Sequence, residues 1–86
     1  MSPDDLCECY ADRGVSLSLS LLDDEMVLIE GDRASLEFLA DLIRAQACFE
    51  NDSGFAIQPH GAGSTFFGMG SKLGIYIHRV GRESEP

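Results

Sequence analysis

The sequence predicts an α+β fold: an antiparallel sheet of about four strands with one long helix on one face, in the order ββαββ. Two patterns carry this reading. Val15-Ser16-Leu17-Ser18-Leu19-Ser20-Leu21 alternates apolar and polar residues without a break, the period of a strand with one buried face. Leu36, Leu39, Ala40, Ile43 and Ala47 recur at spacings of three and four, which is one face of a helix. A shorter alternation at Leu73, Ile75 and Ile77 supplies the last strand.

The elements follow in order. Residues 1–12 are ambiguous. Ser2-Pro3-Asp4-Asp5 has the chemistry of a helix start, with a capping hydroxyl, an early proline and acids near the positive end. Leu6, Glu8 and Tyr10 instead alternate like a strand, and the strand is the favoured reading. After Val15–Leu21, Asp23-Asp24-Glu25 forms a polar turn, and Met26-Val27-Leu28-Ile29-Glu30 reads as a second, more buried strand of a hairpin. Gly31 ends it. Asp32 caps the helix, whose face is widened by Phe38 and Leu42 and which Asn51-Asp52-Ser53-Gly54 stops near Cys48 to Glu50. Leu39 and Ile43 are expected to be deeply buried. Phe55-Ala56-Ile57-Gln58 is a short strand closed by Pro59, and Gly61-Ala62-Gly63-Ser64 a flexible loop.

A chain of 86 residues with 44% apolar and 24% charged residues is expected to fold as a single domain, 1–86, ragged at 1–5 and 81–86. Its charge is uneven. Residues 1–52 hold thirteen of the fifteen acids against Arg13, Arg33 and Arg44; residues 53–86 hold Glu83 and Glu85 against Lys72, Arg79 and Arg82. Such a field repels nucleic acid and anionic membrane and favours a basic protein surface. Met1-Ser2-Pro3-Asp4-Asp5 lacks the basic start and apolar run of a secretory signal, and no apolar stretch approaches the ~20 residues that span a bilayer. The expected location is cytoplasmic. Three cysteines, an odd and low count, suit that compartment better than a disulfide scaffold.

Little catalytic chemistry can be assembled. Cys7 and Cys9, with Cys48, His60 and His78, contain the ligand types for zinc, but the one close pair has the wrong spacing and no second pair exists. No metal or other cofactor is expected. Gly61–Lys72 superficially resembles a phosphate loop, yet Ser71 precedes Lys72 and a strand follows, whereas a true P-loop opens a helix with lysine before the hydroxyl. Neither Gly61-x-Gly63 nor Gly68-x-Gly70 completes a dinucleotide fingerprint. Ser16, Ser18 and Ser20 are the wet face of a strand, and no serine, histidine and acid set can be nominated. Phe66 and Phe67, if on a strand, point to opposite faces, so one should be the more exposed and anchor a partner.

A resemblance adds to this. A strand ending Val27-Leu28-Ile29-Glu30-Gly31-Asp32 leads into Ser35-Leu36-Glu37-Phe38-Leu39-Ala40-Asp41-Leu42-Ile43, and Gly70-Ser71-Lys72-Leu73-Gly74-Ile75-Tyr76-Ile77 closes the domain. In this order, over residues 15–79, the chain resembles small bacterial immunity proteins of the Imm32 type. The resemblance implies a cytoplasmic antidote that binds and blocks a toxin, and it carries over no catalytic residue. Acidic antidotes suit nuclease toxins, whose substrate sites are basic.

The expected function is therefore non-enzymatic: an immunity protein, monomer or homodimer, that blocks a basic toxin. Its partner-binding residues are expected to be Asp23, Asp24 and Glu25 on the turn, with Asp41, Glu50 and Asp52 along or just after the helix. Two alternatives stay open. One is an acidic adaptor or DNA-mimicking inhibitor of a nucleic-acid enzyme. The other is a small metal or redox module built on Cys7 and Cys9.

Overall fold

The computed structural model describes residues 1–51 and 53–81. Asp52 and residues 82–86, which include all but Gly81 of the expected C-terminal tail, lie outside them.

The N-terminal segment is helical, which corrects the strand reading. Helix α1 spans Pro3–Tyr10. The Ser2 hydroxyl accepts from the Asp5 N–H at 3.0 Å, and the Asp5 carboxylate accepts from the Ser2 N–H at 3.4 Å. This reciprocal box satisfies two donors at once and outweighs a weak alternation. Leu6 and Tyr10 are also four residues apart, on one helical face, and Glu8 between them is exposed.

Strands β1 (Ser18–Leu22) and β2 (Met26–Glu30) form the expected hairpin, with Leu19 opposite Ile29 and Leu21 opposite Val27. The segment leading into β1 and the strand's inner end are buried, as the alternation predicts: Val15, Leu17 and Leu19 all lie in the core. Strand β2 differs from expectation. Met26, Val27 and Ile29 are exposed, and only Leu28 is half-buried.

Helix α2 (Arg33–Cys48) begins as the sequence predicts, with the Asp32 carboxylate accepting from the Ser35 N–H at 2.9 Å. Hydrogen bonding from the Ser35 side chain, then from its backbone N–H, holds the Asp32 carboxyl below its ordinary pKa. The Ser35 hydroxyl accepts from the Ser16 N–H at 2.9 Å and ties the helix start to the entry of β1. The buried face consists of Ser35, Phe38, Leu39, Leu42 and Gln46. Leu39 is buried as expected; Ile43, at 47% exposure, is not. The real stripe has the expected spacing moved back by one residue, a rotation of about 100° about the helix axis toward the side where Phe38 and Leu42 were expected only to widen the face. Phe38 decides the rotation, because the largest apolar side chain gains most from the interior. Leu39→Ala is accordingly expected to cost about 2–5 kcal/mol. Ile43→Ala should cost clearly less, and urea denaturation of the two variants compares them directly.

Strands β3 (Gly54–Ile57) and β4 (Ile75–His78) pair antiparallel, with Phe55 opposite Ile77. The expected single sheet of about four strands is thus two sheets of two strands, and α1 joins α2 as a second helix. The cause lies at the inner edge of β1. The Leu17 N–H donates to the Phe66 carbonyl at 2.8 Å and the Gly68 N–H to the Leu17 carbonyl at 2.7 Å. The Lys72 N–H donates to the Leu19 carbonyl at 2.9 Å, and the Leu19 N–H donates to Ser71 Oγ at 2.9 Å. Residues 66–73 therefore occupy the edge that β3 or β4 would need.

The glycine-rich segment is thus stitched to β1 and forms a wall of the fold, not the flexible loop expected. It opens with a 3₁₀ turn, Ser64–Phe66, preceded by Gly63 at φ 80°, a left-handed conformation that favours glycine. A Cβ at Gly63 would also run into the Ile57 side chain. Phe66 is buried within this turn and Phe67 packs half-buried against the core. Neither is the exposed anchor that a strand reading suggested.

The core gathers Leu6, Val15, Leu17, Leu19, Phe38, Leu39, Leu42, Ile57 and Phe66. The Phe38 ring stacks on Phe66 at 4.6 Å and meets Tyr10 at 5.0 Å, joining both helices to the 3₁₀ turn.

Candidate functional site

The hairpin extends beyond the core. Strand alternation and the cross-strand pairing place Leu19, Leu21, Val27 and Ile29 on one face. Leu19 is buried, but Leu21 is 55%, Val27 58% and Ile29 44% exposed. A groove runs below this face, lined by Val27 and Ile29 from the hairpin, Ile43 from α2, Ile75 and Tyr76 from β4, and Gly74 just before it. It fills the gap between the two sheets. The side chains whose burial was expected in α2 and β2 are thus those that leave an apolar surface open.

Acids stand at the outer end of this face. The Glu25 N–H donates to the Leu22 carbonyl at 3.2 Å, closing a turn whose central residues, Asp23 and Asp24, have φ of 56° and 60°. Two consecutive left-handed residues are the mirror-image turn that fits the twist of a hairpin. Glycine or asparagine would adopt it with less strain, and aspartate tolerates it. Asp23, Asp24 and Glu25 are all exposed, and none makes a hydrogen bond or ion pair through its side chain among the described residues.

The other nominated acids lie elsewhere. Asp41 is on α2, where its carboxylate accepts from the Tyr10 hydroxyl at 2.9 Å and pairs with Arg44 at 2.9 Å. It is committed to holding α1 against α2. Glu50 is exposed just beyond the helix end. Asp52 lies outside the described residues. The expected acidic set is therefore one compact cluster on the hairpin turn and separate acids on other elements. Of the bases in the C-terminal third, Arg79 is also committed: its guanidinium donates to the carbonyls of Ala47, at 3.4 Å, and Phe49. A cation there complements the negative end of α2.

The bond to Asp41, then burial, pushes the Tyr10 hydroxyl above its ordinary pKa, against the opposing charge of Arg13. An acid whose folded pKa is raised binds its proton longer in the folded state. Its stabilisation is complete below the unfolded value of about 10 and is lost as pH rises through the higher folded value. Tyr10→Phe is expected to flatten the alkaline limb of stability against pH, read by urea denaturation at a series of pH values above neutrality.

The cysteines offer little reactive chemistry. Cys7 is half-buried, and burial followed by the charge of Asp4 raises its thiol pKa, which lowers the thiolate fraction. Cys9 and Cys48 are exposed thiols. Among the described residues no three His, Cys, Asp or Glu side chains cluster as metal ligands would, and no helix is long and apolar enough to cross a membrane.

The sequence points to the acidic turn but not to the apolar face. Met26-Val27-Leu28-Ile29 is a continuous apolar run, which reads as a strand covered on both sides. The available signal was topological: a chain with one recognised helix has nothing left to cover a second face of the hairpin. Comparisons of the chain with protein-family models, with curated proteins and with solved structures each find no match.

Proposed function

We propose that this protein is a non-enzymatic antidote of the immunity type, which binds a basic toxin and blocks it. The supporting observation is the exposed apolar face of Leu21, Val27 and Ile29 beside Asp23, Asp24 and Glu25, whose carboxylates the fold does not use. A contiguous apolar patch edged by charge is the anatomy of a protein interface: an apolar centre that excludes water and a polar rim that steers approach. The resemblance to Imm32-type immunity proteins points the same way.

The same observation ranks this reading above a DNA mimic. Mimicry of a phosphate backbone requires carboxylates spaced along a surface, and here the centre of the face is hydrocarbon. The cysteine module is ranked lower again, because a raised Cys7 pKa is the opposite of what metal binding or redox reactivity needs.

The test is co-expression with a polymorphic toxin encoded beside this protein. The wild type is expected to restore growth and to co-purify with the toxin. A well-folded, well-expressed protein that neither binds nor protects would move the assignment to an acidic adaptor.

A further inference from the structure

The hydrogen-bonding phase of the hairpin shows which backbone groups face outward. The Leu19 N–H and carbonyl are both turned away from β2, to Ser71 Oγ and to the N–H groups of Lys72 and Leu73. Those of Leu17 are turned the same way, to Phe66 and Gly68. In an antiparallel ladder opposite residues share one phase, which alternates along the strand. Leu19 opposite Ile29 and Leu21 opposite Val27 are therefore pairs without mutual hydrogen bonds. The N–H and carbonyl of Val27 and of Ile29 must point to the outer edge of β2. No partner takes them among the described residues.

This edge lacks the devices that usually blunt one. Met26-Val27-Leu28-Ile29 contains no proline and no lysine, and its pairing with β1 runs without a bulge. The two residues whose backbone is open are also those whose side chains line the apolar groove.

We infer that β2 is a strand-addition site: an extended segment of a basic partner pairs with the Val27 and Ile29 backbone and sets alternate apolar side chains in the groove against Ile43 and Tyr76. The charges select this occupant. Asp23, Asp24 and Glu25 stand at one end of the edge and Glu30 at the other, so a strand flanked by lysine or arginine finds an opposite charge at each end. A second copy fits the backbone but not the charge. A two-fold pairing centred on Leu28 would set Val27 against the other copy's Ile29, and equally Asp24 against its Asp32. It would also join two chains of net charge −9 each. The inference deepens the antidote reading by naming how the partner is held, and it rests on that reading only for the partner's biological source.

The test uses the full chain and a synthetic probe: a short peptide of alternating valine and threonine, flanked by lysines and blocked at both ends. At saturation, amide exchange at Val27 and Ile29 is expected to slow about tenfold or more, while amides that already bond β1 change little. The same peptide flanked by glutamate should bind about tenfold more weakly at low salt. Ile29→Pro removes an outward N–H and takes no bond from β1, a placement proline tolerates on an edge; it should abolish binding. Should that variant fail to fold, Val27→Lys keeps the backbone and adds a like charge. It should weaken the lysine-flanked peptide far more than the glutamate-flanked one.

Absence of binding at millimolar peptide, or perturbation confined to other faces, overturns the inference. So does slowed exchange at Val27 and Ile29 that grows with protein concentration alone, which would make a second copy the occupant. Protection against a toxin together with no peptide binding would sink strand addition and leave the antidote reading standing. Peptide binding at these two amides without toxin protection would do the reverse.

Discussion

Replacing Phe38 by alanine is expected to destabilise the protein by about 3–5 kcal/mol, the range for removing a large aromatic side chain from a core. Phe38 has 0% exposure, and its ring lies between Phe66 and Tyr10. It is the point where α1, α2 and the 3₁₀ turn meet, so the cavity left behind is bounded by three elements. None of them can collapse into it without losing other contacts, and the cost should fall high in the range. Small domains have total stabilities of about 5–15 kcal/mol, so the loss is roughly a fifth of the whole at the least. Urea denaturation should show a much lower midpoint with an unchanged slope. A midpoint close to that of Ile43→Ala would mean that the helix face had been assigned wrongly after all.

That comparison locates where the sequence was legible. The period of a segment can be read from residue order alone. The alternation at Val15–Leu21 and the spacing from Leu36 to Ala47 specified a strand and a helix, and Asp32 marked the helix start. Which of two overlapping stripes faces inward is a tertiary question. The buried stripe of α2 contains Ser35 and Gln46, polar residues that a hydrophobic count assigns to solvent. Ser35 is inside because its hydroxyl serves the Ser16 N–H, a partner nineteen residues away that no local pattern reveals. The division into two sheets has the same origin. It depends on a serine hydroxyl, that of Ser71, and the loop around it bonding to β1. The glycine-rich composition of that loop gave no such hint. At the site, charge was legible and exposure was not. Asp23, Asp24 and Glu25 announce a turn by composition, whereas the open face of β2 follows from what fails to cover it.

Neutralising the turn as Asp23→Asn, Asp24→Asn and Glu25→Gln is expected to slow association with the proposed basic partner about tenfold or more at low salt, while dissociation changes little. Both halves follow from where the charges are. Rim charges act on approach, and steered association exceeds the unsteered rate by about 10–10³-fold. The apolar centre, Leu21, Val27 and Ile29, is untouched by these substitutions, and close packing there sets how long the complex lasts. The choice of replacement matters. Asp23 and Asp24 have φ of 56° and 60°, and asparagine accepts that conformation at least as readily as aspartate. The turn, and with it the register of β1 on β2, should survive, so a slower rate reports charge and not unfolding. At physiological ionic strength the screening length is about 8 Å, and much of the long-range attraction is already lost. Rising salt should therefore slow the wild type toward the neutralised variant, and the two rates should converge. In co-expression the triple variant should protect less well than the wild type while remaining folded and abundant. Equal association rates for the two proteins at low salt would show that the turn acids serve solubility alone. Faster dissociation of the variant would instead place the turn inside the contact, where its carboxylates meet the partner's bases directly.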